Sequence, residues 1–223
     1  MIKLSSVSKK YKKVQAINKL SLTINPKLVT GIIGPNGSGK STLINLLTGL
    51  VAMDEGAIKT DDFEITNISL SSEAIDLPNS YKVAQALKLF SISKQASEEQ
   101  VQELIDKLDI RDQLDKNIKA LSQGNKQRLN IAIALMGNSK LIILDEPNNG
   151  LDPAGFVLLR TLIIELKSAG IGVLIASHLL NEIESVCDEI IFLKNGMLQL
   201  HEERESIMRA YKSLELAYLE IMK

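Results

Sequence analysis

A glycine-rich stretch near the N-terminus has the residue types that bind phosphate. It follows the apolar run at 28–33 and leads into residues 43–47, whose pattern predicts a helix. Glycine has no Cβ, so its backbone can bend until successive N–H groups surround an anion, and a helix N-terminus adds amides and a positive dipole end. The order of strand, glycine-rich turn and helix predicts a P-loop for a phosphate chain, formed by Gly34, Pro35, Asn36, Gly37, Ser38, Gly39, Lys40, Ser41 and Thr42.

Two side chains of this loop indicate that it binds phosphates together with Mg2+. Lys40 can reach the outer phosphates as a point charge, and the Ser41 hydroxyl is placed to ligate Mg2+, which prefers oxygen ligands. The alternative is a plain strand-to-helix turn. At average residue usage, however, the full motif arises by accident on the order of once in 100 chains of this length.

A second cluster of chemical groups comes at the end of a short apolar run. Asp145 and Glu146 directly follow residues 141–144, which are typical of a central parallel strand. Open α/β sheets bind ligands at the edge where such strands end. We expect Asp145 to hold Mg2+, directly or through water, and Glu146 to orient and polarise an attacking water. The alternative is a carboxylate pair that only caps a loop or pairs with lysines.

Three aromatic or imidazole side chains are less decisive by themselves. His178 follows the predicted strand at 172–176, yet a lone histidine is more often structural than catalytic. Tyr11 lies in the first predicted turn, where its ring could stack on a purine base or simply be a surface residue. His201 lies in a late hairpin and receives no role.

Composition restricts the possible partners. The 223 residues carry 26 Lys+Arg against 27 Asp+Glu, so no overall field selects nucleic acid or anionic lipid. The lysines of 9–13 are interpreted as a solvated hairpin face. The single Cys187 excludes an internal disulfide and fits a reducing compartment. No run reaches the ~18 apolar residues of a membrane span, so we expect membrane association only through a partner.

The N-terminal part of the chain reads as strands. Alternation predicts strands at 2–4 and 16–24, which would form an antiparallel patch before the P-loop strand. Short strands are predicted at 56–59 and 63–65, and residues 67–80 read as irregular.

The rest of the chain reads as one helical stretch followed by alternating strands and helices. Residues 80–138 are predicted to be helical, with Ser97 and Gln100 at capping-box spacing, and Asn195-Gly196 predicts a hairpin turn. We therefore predict an α/β fold of the P-loop NTPase type. It has a mainly parallel central sheet, an N-terminal antiparallel β-subdomain and an inserted helical subdomain at about 72–138, within a single domain spanning 1–223.

With these residues identified, the chain resembles the ATP-binding cassette (ABC) ATPases over essentially its whole length. The Walker A loop is 34–42, the signature 121–128, Walker B 141–146, the D-loop 149–153, and the switch histidine is His178. Five motifs in the family's order are far more specific than any one of them.

The resemblance implies a head-to-tail pair of cassettes, either a homodimer or a heterodimer with a second ABC ATPase. Each ATP would lie between the Walker A loop of one cassette and the signature helix of the other. Ser122 and Gly124 would then donate to the partner's γ-phosphate from a helix N-terminus. His178 would contact that phosphate beside Glu146, and Asp152 would link the two sites. Tyr11 matches the family's base-stacking aromatic residue.

The function implied is an ATP-binding and ATP-hydrolysing subunit that uses ATP and Mg2+ to drive a separate transmembrane permease, with no nucleic-acid partner. Such a subunit would be cytoplasmic and peripheral on the inner face of the membrane. The tail at 213–221 resembles that of stand-alone cassettes of bacterial exporters, which favours export. The alternatives are a soluble non-transport ABC ATPase and a weakly hydrolysing ATP-binding module.

The chain departs from the family pattern in two motifs. Gln123 and Asn125 replace the third and fifth residues of the usual Leu-Ser-Gly-Gly-Gln signature. Where the family has its Q-loop glutamine, this chain has Ser72 followed by Glu73. Either Glu73 substitutes as an oxygen ligand or coupling to the permease runs differently.

Overall fold

The computed structural model describes residues 1–61, 64–72 and 77–223. The strands of this part are β1 (Ile2–Tyr11), β2 (Val14–Ile24), β3 (Val29–Ile33), β4 (Glu55–Thr60), β5 (Ile68–Ser71), β6 (Leu141–Asp145), β7 (Gly172–Ala176), β8 (Glu189–Lys194) and β9 (Met197–Glu203). Its helices are α1 (Lys40–Leu47), α2 (Val83–Lys94), α3 (Glu98–Lys107), α4 (Gln123–Leu135), α5 (Pro153–Ser168), α6 (Leu180–Val186), α7 (Arg204–Tyr211) and α8 (Leu214–Ile221).

The larger sheet has the strand order β5-β6-β7-β3-β8-β9 among the described residues, and its neighbours are parallel except for β9. Its central strands are buried along nearly their whole length, as expected when helices cover both faces of a parallel sheet. Asn195 and Gly196 turn β8 into β9 with φ angles of 52° and 72°, as a type I′ hairpin requires. The predicted mainly parallel sheet and its late hairpin are confirmed.

A smaller antiparallel sheet, in the order β2-β1-β4, packs on one side of the large sheet. Helix α1 supplies Leu43 and Ile44 to the core that this sheet shares with Leu141 and Ile143 of β6. Apolar residues of α2 to α6 build a second core with the opposite faces of the central strands. The P-loop helix is thus held by two sheets, which restricts the position of its N-terminus.

Several boundaries predicted in the N-terminal part were wrong. The first strand continues to Tyr11 because irregular pairing, with Ser6 at a φ of 48°, interrupts the alternation that would reveal it. Residues 68–71 form the edge strand β5, because Ser69 and Ser71 are buried against the fold and not exposed as polar residues usually are. Ile65 lies in a short 3-10 turn, and Phe63 is outside the described residues.

Helices α2, α3 and α4 lie between β5 and β6 in the chain, in agreement with a helical insertion; its limits at 72 and 138 stay a prediction. Ser97 caps α3 by accepting from Gln100 N at 3.2 Å. The Gln100 side chain, however, bonds to Gly137 N and O at 3.1 Å each, so only half of the capping box forms. At the end of the chain, Lys212 adopts a φ of 70° and separates α7 from α8.

Candidate functional site

The predicted P-loop joins β3 to α1. The geometry of the chain explains why position 39 of this loop is a glycine. Gly39 precedes α1 with a φ of 107°, and a Cβ there would lie 2.6 Å from Ala16 O. A larger residue would be strained and would collide with β2. The first bond of the helix runs from Leu43 N to Gly39 O at 2.8 Å. The amides of Lys40, Ser41 and Thr42 therefore have no acceptor within the helix, and such a helix N-terminus is a favourable place for an anion.

Two side chains of the loop fit a phosphate chain. Lys40 is only 9% exposed, and its Nζ donates to Gly34 O at 2.7 Å and to Pro35 O at 3.3 Å. Its charge is thus held inside the loop on neutral carbonyls. The buried Ser38 Oγ has no hydrogen-bond partner among the residues that the structure describes. A buried hydroxyl without a partner is unfavourable, and an incoming phosphate oxygen would satisfy both this hydroxyl and the ammonium.

Asp145 and Glu146 lie where β6 ends, beside the end of β7. Asp145 pairs with Ala176 in the parallel register, and Glu146 N donates to Ala176 O at 2.8 Å. Glu146 has a φ of 49°, the left-handed region that a residue with a side chain seldom adopts. Strand β6 therefore ends at Asp145, and the backbone turns at Glu146. Such local strain is frequent at functional sites.

Glu146 and His178 are in direct contact. Glu146 Oε2 lies 2.7 Å from His178 Nδ1 and accepts from His178 N at 3.4 Å. The carboxylate side chain is 26% exposed and the imidazole 60% exposed. When Glu146 is ionised it can only accept, so Nδ1 is the donor and Nε2 remains for another group. The pair can hold a proton or orient a polar molecule at this edge of the sheet.

The donors predicted for Mg2+ come from two neighbouring parts of this edge. Ser41 is exposed in the first turn of α1, and Asp145 is half-buried at the end of β6. A hydroxyl and a carboxylate suit Mg2+, which keeps waters and takes further oxygens from a substrate phosphate. The donor set therefore fits that metal.

The predicted signature residues line a surface pocket against the predicted D-loop. Ser122 caps α4 by accepting from Asn125 N at 3.3 Å. A Cβ on Gly124 would lie 2.6 Å from Gly150 O, so the two segments touch through glycine backbone. Together with Asp152, which caps α5, they line a surface pocket of about 180 Å³. In the part of the chain that the structure describes, this pocket includes no P-loop residue.

Arg128 was not predicted as a site residue, yet it joins the two segments of this pocket. Its guanidinium donates to Asp109 Oδ2 at 3.0 Å and lies 3.6 Å from Asp152 Oδ1. These partners are 19 and 24 positions away in sequence, so no local pattern reveals the contact.

Tyr11 is the last residue of β1, not a turn residue as expected, and it pairs with Val14 across the hairpin. Its side chain is exposed, and Lys9 Nζ lies 5.6 Å from its ring centre. Ser72 is buried directly after β5, while Glu73 lies outside the described residues. His201 contacts Glu189 at 3.3 Å within the late hairpin, away from these groups.

Fold and site together define a class. A parallel sheet has its P-loop, its strand-end carboxylates and a histidine at one edge, and this combination defines a P-loop NTPase. Residues 17–149, more than half of the chain, match the family described as ABC transporter. The chain belongs to this family, as an ATP-binding subunit with ATPase activity.

Similar proteins cover almost the whole chain. The lantibiotic transport ATP-binding protein SrtF of Streptococcus pyogenes is 38% identical over 208 residues, which are 91% of each chain. The lipopolysaccharide export system ATP-binding protein LptB of Escherichia coli (strain K12) is 31% identical over 219 residues, 92% of this chain and 91% of that one. A dimeric ATP-binding cassette in a post-hydrolysis state with ADP and Pi superposes with a TM-score of 0.83 at 25% identity, covering 92% and 99%.

None of the helices in the described ranges is long and apolar enough to cross a bilayer.

Proposed function

We propose that this chain hydrolyses ATP at the edge of the sheet where the P-loop and the pair of Glu146 and His178 meet. The observation that supports this most directly is the 2.7 Å contact between Glu146 Oε2 and His178 Nδ1. It holds a carboxylate, which can polarise a water, beside an imidazole whose second nitrogen is available to the terminal phosphate. The strained backbone at Glu146 keeps the carboxylate in that position.

The loop residues bind the phosphates in this proposal. Lys40 exchanges its carbonyl acceptors for phosphate oxygens, and Ser38 donates its buried hydroxyl. Ser41 and Asp145 hold Mg2+, which neutralises phosphate charge when bound. The exposed ring of Tyr11 stacks on the adenine.

A second cassette completes the site. Ser122 and Gly124 lie at the exposed N-terminal end of α4, where helix amides are available to an anion. The pocket they share with Asp152 contains no P-loop residue among those described, so its phosphate would come from another copy. The dimeric neighbour with ADP and Pi supports this arrangement. Whether the partner is identical or a second ABC ATPase does not change the chemistry.

In this proposal the chain lies on the cytoplasmic face of a membrane, where ATP hydrolysis drives a separate transmembrane permease. We favour export as the direction of transport. The names of the relatives support this, since one is a lantibiotic transport protein and another belongs to a lipopolysaccharide export system. The chain has no excess of positive charge to recruit nucleic acid. Affinity purification from detergent-solubilised membranes should recover a multi-span protein; recovery with ribosomes or DNA would favour the non-transport alternative.

The hydrolytic role is tested by Glu146→Gln, which keeps the shape of the side chain and removes its basicity. We expect ATP binding to persist, steady-state turnover to fall by about 100-fold or more, and an ATP-dependent dimer to accumulate in light scattering. Glu189→Gln is a matched control, because Glu189 also contacts a histidine, at 3.3 Å, at the end of the β8–β9 hairpin opposite its turn. Its turnover should stay within about twofold of the unchanged chain. Undiminished turnover in Glu146→Gln would remove this residue from the role.

A further inference from the structure

The hairpin that carries Tyr11 is fixed against the P-loop. Val14, the partner of Tyr11, is two residues before Ala16, or about 7 Å along an extended strand. The Ala16 carbonyl approaches Gly39, where a Cβ would lie 2.6 Å away. Asn18 N also donates at 2.9 Å to Gly196 O, whose own amide donates to Ser38 O at 2.8 Å. The end of the hairpin is thus held near the start of α1.

One face of the Tyr11 ring has a cation over it. Lys9 Nζ lies over the ring, 5.6 Å from its centre, within the range of a cation–π contact. The Lys9 side chain is only 15% exposed, although the neighbouring lysines of this hairpin lie in the solvent. A ring has two faces, so a cation on one face leaves the other available to a second planar group.

Asp54 holds Lys9 in this position. Its Oδ1 accepts from Lys9 Nζ at 2.8 Å, its Oδ2 accepts from Lys10 N at 2.7 Å, and its own N–H donates to Ser8 O at 2.9 Å. We call these three hydrogen bonds of Asp54 the clamp. They lie where the pairing of β1 with β4 is irregular, between Ser5 and Ser8. The hydrogen bonds from Lys9 and Lys10 lower the pKa of the Asp54 carboxyl, so it is charged at neutral pH.

From this geometry we propose that Lys9, clamped by Asp54, is a positioning residue for the nucleobase: it covers one face of the Tyr11 ring and presents the other face to the base. The inference rests on the proposed ATP site and on stacking by Tyr11. Lys9 is not a phosphate ligand in this arrangement, because its ammonium is already paired with Asp54. Its effect must therefore depend on the base and be absent for a bare phosphate chain.

The test compares two ligands on the full chain by titration calorimetry: Mg·ATP, and inorganic tripolyphosphate with Mg2+. For Lys9→Met, which keeps the aliphatic stem, we expect ATP affinity to fall by about two- to fivefold and tripolyphosphate affinity to remain unchanged. Lys9→Arg should restore ATP affinity, since Arg makes the same contact. Asp54→Asn should act like Lys9→Met in direction, because the charged partner of Lys9 is lost.

Lys13→Met is the matched control, as it removes the same charge from the same hairpin at an exposed position, while the cation over the Tyr11 ring in the described part of the chain is that of Lys9. Its ATP affinity should not change. Three results would each overturn the inference. Lys9→Met could lose equal affinity for ATP and for tripolyphosphate, or it could lower the melting temperature and leave the preference for ATP over tripolyphosphate unchanged. The third result is a failure of Lys9→Arg to restore ATP affinity.

The failure of this inference and that of the ATP site are distinguishable. Tripolyphosphate binding by the unchanged chain, and its loss in Lys40→Ala, test the P-loop without any base. Tyr11→Ala tests stacking; if it leaves the preference for ATP unchanged, the positioning role of Lys9 is refuted while the P-loop stands.

Discussion

Two helix N-termini in this molecule are each assigned to a triphosphate, α1 to the ATP of its own chain and α4 to the ATP of a second copy, and they are built differently. At α1 the charged group is buried inside the loop, with Lys40 9% exposed and bonded to Gly34 O, and the Ser38 hydroxyl is enclosed without a partner. At α4 the capping Ser122 is exposed, and its pocket opens to the surface. The first region contains its own charge and donors. The second has its capping hydroxyl at the surface, in a pocket that also includes the paired Arg128 and Asp152.

The contrast indicates that the two regions contribute to different free energies, namely nucleotide binding by a single chain and closure of two chains on the ligand. The enclosed loop should set the affinity of a single chain for nucleotide, because its groups are ordered before binding. The exposed helix end should matter when two chains close on the ligand. Three substitutions, in order of decreasing expected effect, test this division.

Lys40→Ala should have the largest effect. Loss of a charge-assisted phosphate contact should weaken ATP binding by about ten- to a hundredfold, measured by calorimetry on the isolated chain. Lys94→Ala is the matched control, since Lys94 Nζ is also partly buried and bonds to a backbone carbonyl, Ala134 O at 3.5 Å, where α2 packs on α4. Nucleotide affinity equal to that of the control would refute the role of the loop.

Ser122→Ala should act mainly on the closed dimer. In the Glu146→Gln background we expect ATP-driven dimerisation to weaken by about tenfold, while the affinity of the single chain changes by less than about twofold. The loss of the α4 cap alone should lower stability by about 0.5 to 2 kcal/mol.

Ser97→Ala separates these two effects, because Ser97 caps α3 in the same way, by accepting from Gln100 N. It should lower stability and leave dimerisation unchanged. If both serine variants weakened the dimer equally, the signature helix would have no special part in closure.

Ser38→Ala should have the smallest effect. Because its Oγ has no partner, its removal should leave the free energy of unfolding unchanged or raise it slightly, while ATP affinity falls by about two- to tenfold. Ser71→Ala is matched to it, as another buried hydroxyl without a partner, in β5. If Ser71→Ala lowered ATP affinity and Ser38→Ala did not, the Ser38 hydroxyl would not be a phosphate donor.

The parts of the site that are contiguous in sequence were predictable. The P-loop spans consecutive residues whose types and order define its geometry, and Asp145 was expected where β6 does end. The sequence also predicted that Glu146 and His178 each follow a strand. The family resemblance placed His178 beside Glu146, but no local pattern gives their 2.7 Å contact, since they are 32 positions apart and the contact depends on β6 and β7 lying side by side.

Elements whose polar residues are buried escaped prediction. Strand β5 was read as irregular because two of its four residues are serines, which only burial beside β6 and α4 explains. Tyr11 was assigned to a turn because bulged pairing hides the last residues of β1. The clamp of Asp54 on Lys9 spans 45 positions and leaves no local pattern.

The amino-acid sequence by itself determined the class of protein, the glycine-rich loop between β3 and α1 that we propose binds phosphate, and the identities of the groups at the strand ends, because these depend on residue types at short, fixed spacing. Only the tertiary structure decided which of those groups touch: Glu146 with His178, Gly124 with Gly150, and Lys9 with both Asp54 and Tyr11. Such contacts require strand order, register and burial, which result from the packing of the whole chain and not from any one segment.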